Sequence, residues 1–317
     1  MAKIDHPNHV EINAAISLIA SDNRSGAAEI LSSVERVFSP LASSTELQID
    51  ASVESARDSV LNICKALVRA QPDMSPILRV ASVALAASRA HEDPLDVFRF
   101  AGQSALSYIQ HSIASARDAA ANGARIINSG DIVLTHSRSS SVFAALKQAS
   151  SDGKLFAVIA TESRPGMEGR RLAADLHDLG IKVILITDTA AALELDRATK
   201  ILVGADTITP NNLVNKIGTR MIALAARERG LPVYALCDSS KFINLAGSIK
   251  SQRQGSTDEV WEDPPERVEI KNYYFEPTPL NWFTGLVTEK GVLTADAAAS
   301  VARDASIEAI LVESLRD

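Results

Sequence analysis

The sequence predicts an α/β protein in two parts: an N-terminal α-helical domain over residues 1–125, followed by a Rossmann-like parallel-sheet domain over residues 126–317. Two patterns predict this. Before residue 125, apolar residues recur at three- and four-residue steps, with almost no strand-like alternation of β-branched residues. From Asp131 onward, short continuous apolar runs alternate with amphipathic stretches, which is how a parallel sheet covered on both faces reads. A length of 317 residues, 46% hydrophobic and 22% charged, is enough for two cores.

The helical part reads as segments 10–20, 25–37, 46–70, 75–90 and 93–122. The third is the most regular, with Ile49, Val53, Ala56, Val60, Ile63 and Leu67 on one stripe. Pro72, Pro76, Gly123 and the Asn128-Ser129-Gly130 turn mark breaks. In the second part, runs 132–135, 156–160, 182–186, 201–203 and 233–236 predict five strands. Segments 141–148, 166–179 and 215–229 predict the helices between them. Residues 261–265 read as a surface excursion before the last strands.

Several classes of function are excluded on composition. A formal charge of −7 argues against a dedicated nucleic-acid binder, although it leaves room for a local basic pocket. No apolar run approaches the roughly 18 residues of a membrane span. The start, MAKIDHPNHV, lacks a signal-like apolar core, so a cytoplasmic protein without membrane partners is expected. The two cysteines, Cys64 and Cys237, suit buried thiols rather than a disulfide or a zinc site, and no metal is expected. Neither a G-x-G-x-x-G nor a G-x-x-x-x-G-K-[ST] pattern is present, so dinucleotide and P-loop cofactors lack their usual devices and no cofactor is expected.

Open parallel sheets bind ligands beyond the carboxyl ends of their strands, so those ends carry the functional reading. The first strand leads into Thr135-His136-Ser137-Arg138-Ser139-Ser140-Ser141, where a helix N-terminus favours an anion, or where Ser139 or Ser140 simply caps the helix. The second ends in Glu162-Ser163-Arg164-Pro165, with Arg170 and Arg171 beyond; Arg164, at the strand exit, suits phosphate. The fourth ends in Gly204-Ala205-Asp206, a carboxylate either desolvated into a general acid or serving as a turn residue. Asn215 and Lys216 are expected to open the following helix, and Lys241 follows the fifth strand. Together these place one carboxylic acid, two lysines and an arginine around a single crevice.

These motifs, in this order and at these intervals, resemble one family. It unites the alpha, beta and delta subunits of eukaryotic translation initiation factor 2B with methylthioribose-1-phosphate isomerase and archaeal ribose-1,5-bisphosphate isomerase. The resemblance rests on Thr135-His136-Ser137, Glu162-Ser163-Arg164-Pro165 with Glu168-Gly169-Arg170, Gly204-Ala205-Asp206, Asn215-Lys216-Ile217-Gly218-Thr219 and Lys241-Phe242. Phe275-Glu276-Pro277-Thr278-Pro279 and Thr288-Glu289-Lys290-Gly291-Val292-Leu293 are similar to its C-terminal signature. In the N-terminal half the likeness is looser, carried by Arg24-Ser25-Gly26-Ala27 and Gln71-Pro72.

The resemblance implies a homodimer that binds a phosphorylated sugar or a nucleoside monophosphate and converts aldose 1-phosphate to ketose phosphate without metal or cofactor. It implies Asp206 and Ser137 as the catalytic pair. It implies Gly26, Ala27, Asn215 and Lys216 as substrate-binding, to which the strand-end reading adds His136, Arg138, Ser139, Ser140, Arg164 and Lys241, with Gln71 at the place of a phosphate-binding residue. Two departures stand against catalysis. The isomerases carry cysteine where this chain has Ser137, a far weaker acid, and a phosphate-binding arginine where it has Gln71. In addition, Ser25 interrupts the family's Arg-Gly-Ala, and the loop after Asp206 is one residue shorter. Two functions are therefore expected: a sugar-phosphate isomerase, with His136 or Cys237 supplying basicity, or a non-catalytic subunit homologue that binds a phosphorylated metabolite or a protein partner.

Overall fold

A computed structural model describes residues 6–22, 25–46, 52–245 and 254–315. Arg24 and Ile49, both used in the sequence reading, lie outside the described residues. The Cα packing groups the chain into two units: residues 1–114 with 305–317, and residues 115–304. The domain boundary read at residue 125 coincides instead with the end of a helix, α5 (Pro94–Arg125), which carries the division between the units at Ala114 and Ser115.

The first unit is helical: α1 (His9–Ser21), α2 (Ala27–Ala42), α3 (Val53–Ala70), α4 (Ser75–Arg89), the first part of α5, and, after the second unit, a short helix (Ala309–Glu313). Local chemistry sets the starts. Ser52 Oγ accepts the Ser55 amide at 3.1 Å while Ser55 Oγ accepts the Ser52 amide at 3.0 Å, so α3 begins there rather than at residue 46. Asp93 Oδ1 takes the amides of Leu95 and Asp96 at the head of α5. The stripe Ala56, Val60, Ile63, Leu67 is buried as its spacing requires, together with Ile12, Ile30, Val34, Phe38, Ile77 and Phe98. Each of the valine, leucine, isoleucine and phenylalanine side chains contributes about 1.5–3 kcal/mol by its burial. Gly102 lets α5 pass the end of α2, since a Cβ there would lie 2.3 Å from the Ala42 nitrogen.

Among its described residues the second unit carries ten strands, where the sequence reading delimited five and expected further strands after residues 261–265. β1 (Ile132–His136), β2 (Ala157–Thr161), β3 (Lys182–Ile186), β4 (Lys200–Gly204), β7 (Val233–Leu236) and β9 (Gly285–Thr288) run parallel. β10 (Gly291–Leu293) pairs antiparallel on β9, giving the order β10-β9-β7-β4-β1-β2-β3. Without that edge strand, the order is that of a doubly wound sheet, with its switch point between β1 and β4. The inner strands β1, β2 and β4 are buried almost throughout, whereas the edge strand β3 is partly exposed. The helices α6 (Ser140–Ser151), α7 (Glu168–His177), α8 (Ala191–Glu194) and α9 (Thr219–Glu228) belong to this unit. Val133, Val142, Leu146, Val158, Leu172 and Leu202 share one core cluster.

Residues 212–216 correct the sequence reading. Asn215 and Lys216 do not open a helix; they end β6 (Asn212–Lys216), the middle strand of a small antiparallel sheet with β5 (Thr207–Ile208) and β8 (Phe275–Pro279). Asn215 pairs with Glu276 and Lys216 with Phe275. The helix starts only after Gly218, at φ 104°, a left-handed conformation that suits glycine. Pairing with β8, some sixty residues away, overrides the local helical pattern.

Candidate active site

The ends of β1 and β4 flank the switch point, so His136-Ser137 and Ala205-Asp206 face one crevice. Four charged groups act on one another there: Asp206, Lys241, Lys216 and Glu168. Asp206 keeps some accessible surface but is closely surrounded. Burial pushes its carboxyl above the usual carboxylate range, Lys241 and then Lys216 pull it back, and Glu168 pushes it up. Lys216 and Lys241 are buried. Lys216 Nζ pairs with Glu168 Oε1 at 2.7 Å, and its ammonium lies 4.9 Å from the centre of the Tyr274 ring. The second Glu168 oxygen is buried and has no hydrogen-bond partner among the described residues.

His136 holds the floor of this site. Its Nε2 lies 2.7 Å from the Ile217 carbonyl, which only accepts, so Nε2 carries the proton. Burial lowers the imidazole pKa, and the neutral ring therefore presents Nδ1 as an acceptor to the Thr161 hydroxyl at 2.7 Å. Ser163 Oγ lies 3.0 Å from Thr161 Oγ1 and accepts the Ser137 amide at 2.7 Å. The chain of donors runs from Ser137 N–H through Ser163 and Thr161 to His136. Both ring nitrogens are engaged within the protein, so His136 is a structural imidazole here and does not supply basicity. Cys237 is a buried thiol whose pKa burial raises.

The backbone around this chain is strained. Ser137, Ser163 and Met167 have φ of 66°, 64° and 59°, and such a conformation in a residue with a side chain costs roughly 1–2 kcal/mol. Asp188, at the exit of β3, takes the amides of Ser163 and Arg164 at 2.7 Å each, which holds the turn. Glu276 does the same for α9, accepting the amides of Gly218 and Arg220 at 2.7 and 2.9 Å. Two glycines admit close approach: a Cβ on Gly204 would sit 2.5 Å from Ser139 Oγ, and one on Gly218 2.9 Å from His136 Nε2.

The other sequence candidates fall as follows. Ser139 is the cap of α6, accepting the Val142 amide at 3.4 Å, and Ser140 begins that helix. Arg138 pairs with Asp175 at 2.9 Å. Asn215 Nδ2 donates to Thr219 Oγ1 at 2.9 Å. Arg164 stays apart from the charged group: it is exposed, and its guanidinium donates to the Glu259 carbonyl at 3.1 Å. Arg170 pairs with Glu162 on the surface. In the first unit, Gly26 caps α2, Ala27 begins it, and Gln71 Nε2 donates to the Ile19 and Asp22 carbonyls at 2.7 and 2.9 Å, closing the end of α1. Sequence reasoning did not assign Glu168, Thr161, Ser163, Asp188, Tyr274 or Glu276 to the site. Of these, Glu168, Ser163 and Glu276 lay inside its quoted motifs; Asp188 and Tyr274 carried no local signal. Among the described residues no group of three or more His, Cys, Asp or Glu could hold a metal ion, and no helix is long and apolar enough to cross a membrane.

A sequence model described as the Initiation factor 2 subunit family matches residues 9–295. The chain is 38% identical over 189 residues to a translation initiation factor eIF-2B subunit 2-like protein of Pyrococcus furiosus, covering 59% of this chain and 66% of that one. It is 35% identical over 196 residues to the ribose 1,5-bisphosphate isomerase of Methanocaldococcus jannaschii, covering 60% and 64%. The chain thus spans less than two thirds of the length of either relative. With the 5-deoxyribose 1-phosphate isomerase of Moorella thermoacetica it shares 33% identity over 268 residues, covering 78% and 73%. The structure of 5-methylthioribose 1-phosphate isomerase from Pyrococcus horikoshii superposes with a TM-score of 0.72 at 25% identity, covering 96% of this chain and 88% of that one.

Proposed function

The chain belongs to the Initiation factor 2 subunit family, and from that premise we propose that its strand-end crevice binds an aldose 1-phosphate and isomerises it to the ketose phosphate. One observation carries the proposal: the Asp206 carboxyl, pushed up by burial, lies within the field of two buried lysines. A carboxyl whose pKa burial raises can act as a general acid, giving a proton to the ring oxygen as the bond from that oxygen to C1 opens. Lys241 and Lys216 then stabilise the carboxylate left behind and attract the phosphate. A hydride moves from C2 to C1, and the 2-hydroxyl proton returns to Asp206. One hydrogen has changed carbons, the phosphate ester on C1 is intact, and no redox partner is needed. Ser137, whose hydroxyl takes no partner among the described residues, holds a substrate hydroxyl in this reading.

The test is incubation with ribose 1,5-bisphosphate, 5-deoxyribose 1-phosphate and 5-methylthioribose 1-phosphate, followed by phosphorus NMR. A ketose phosphate signal that disappears in Asp206→Asn supports the proposal. Absence of turnover on all three, in wild type and in Ser137→Cys alike, overturns catalysis.

A second reading, a pocket that binds such a ligand without turnover, is favoured by Ser137 and by the commitment of the Gln71 amide to α1. It predicts a raised melting temperature with sugar phosphate or nucleoside monophosphate and no product.

A further inference from the structure

We propose that Glu259 and Tyr274 form a positioning pair that fixes the Lys216 ammonium. The proposal rests on the sugar-phosphate reading for its effect on binding, but not for its structural claim. Lysine has a flexible four-carbon stem, so a charge meant to meet a ligand in one place needs lateral support. On one side Lys216 has the Glu168 carboxylate, 2.7 Å away. On the other it has the face of Tyr274, 4.9 Å from the ring centre.

Tyr274 is itself held from three directions. Its backbone carbonyl accepts the Ile217 amide at 2.8 Å, which ties it to the residue after Lys216. Its phenol donates to Glu259 Oε2. Gly255 lies flat against the ring edge, where a Cβ would come within 2.5 Å of Cζ and 2.6 Å of the hydroxyl. Glu259 is the hub. The same Oε2 accepts Asn272 Nδ2 at 2.8 Å, and its backbone carbonyl accepts Arg164 Nη2 at 3.1 Å.

A phenol that donates to a carboxylate gains negative charge on oxygen and shares it with the ring, which deepens the attraction of the ring face for an ammonium. This explains why Arg164, at the exit of β2, turns to the surface: it fastens the segment that carries Glu259. If Tyr274 were only packing, the hydroxyl and the aromatic face would be dispensable, and Lys216 would be indifferent to both.

The test is site-resolved acetylation of the full chain with a limiting acylating reagent, read by mass spectrometry, in wild type, Tyr274→Phe, Tyr274→Leu and Glu259→Gln. Lys216 is expected to react about tenfold faster in Tyr274→Leu and about threefold faster in Tyr274→Phe, with surface Lys147 unchanged. Glu259→Gln keeps an acceptor for the phenol but removes the carboxylate charge, so its Lys216 rate is expected to rise about twofold, between wild type and Tyr274→Phe, and a rate equal to wild type would remove Glu259 from the pair. The dissociation constant of a sugar phosphate is expected to rise in the same order. An unchanged Lys216 rate in folded Tyr274→Leu overturns the proposal, as does an equal rise at Lys200 and Lys241, which signals general loosening. Should Tyr274→Leu fail to fold, the ratio between Tyr274→Phe and wild type decides. If wild type binds no sugar phosphate, the functional reading fails while the labelling still judges the pair.

Discussion

Replacing Thr161 by valine isolates the hydrogen-bond chain beneath the site. The two side chains have nearly the same shape, and Thr161 is fully buried, so packing is preserved while one hydroxyl is lost. That hydroxyl donates to His136 Nδ1 at 2.7 Å, and the ring cannot turn to find another partner because Nε2 is held by the Ile217 carbonyl. Ser163 keeps a fallback, since its hydroxyl also reaches the Thr161 carbonyl at 3.2 Å. The loss is therefore one buried acceptor left without a donor, about 1–3 kcal/mol. With a urea dependence of about 2 kcal/mol per molar, the unfolding midpoint should fall by about 0.5–1.5 M. Thr161→Ser keeps the hydroxyl, and in it nitrogen NMR should still find the proton on Nε2 of a neutral His136. A Thr161→Val protein as stable as wild type would refute the directional assignment.

Three other outcomes follow from the same geometry. Gly169→Ala places a methyl 1.7 Å from the Thr161 carbonyl oxygen, backbone against backbone, and should cost about 3 kcal/mol or more, visible as a collapse of the melting temperature. His6 is lowered to about 4 by burial and then by His9; its Nδ1 accepts the Asn8 amide and its Nε2 meets Ser44. The unfolded chain therefore binds the extra proton first, and stability should fall by about 1–3 kcal/mol as pH drops from 6.5 to about 4, a slope that His6→Gln should flatten in urea titrations. For Asp206 the sign is opposite. Its raised pKa means the folded state binds the proton more tightly, so stability falls as pH rises from the unfolded value of 3.8 through the raised one. Asp206→Asn should remove that slope and leave the protein at least as stable at pH 7 while abolishing turnover; a large loss of stability at pH 7 would contradict the burial argument.

The inner strands β1, β2, β4 and β7 were legible because a strand buried on both faces must be apolar throughout, and the partly exposed edge strand β3 because residues 183–186 form an unbroken apolar run; 182–186 and 233–236 match their predicted ends. The strand β6 was not, because Asn-Leu-Val-Asn-Lys carries no strand-like alternation and its partner β8 lies far along the chain. Asp206 and Lys241 were singled out by position, each just beyond the end of an expected strand, whereas Lys216 was singled out as the opening of a helix and ends the unexpected strand β6 instead. Arg164 obeyed the same rule yet turns outward, since backbone position does not fix where a long side chain goes. Asp188 and Tyr274 went unassigned because their roles are to receive amides and to support an ammonium, and both depend on contacts between distant segments.

In the proposed function a phosphorylated sugar sits where the charges of Asp206, Lys216 and Lys241 act on one another. A crystal structure of the protein soaked with ribose 1,5-bisphosphate at saturating concentration tests it most directly. The account predicts a phosphate within hydrogen-bonding distance of a lysine ammonium and a sugar oxygen on the Asp206 carboxyl. Ligand density elsewhere on the molecule, or an unchanged crevice at full saturation, would contradict it.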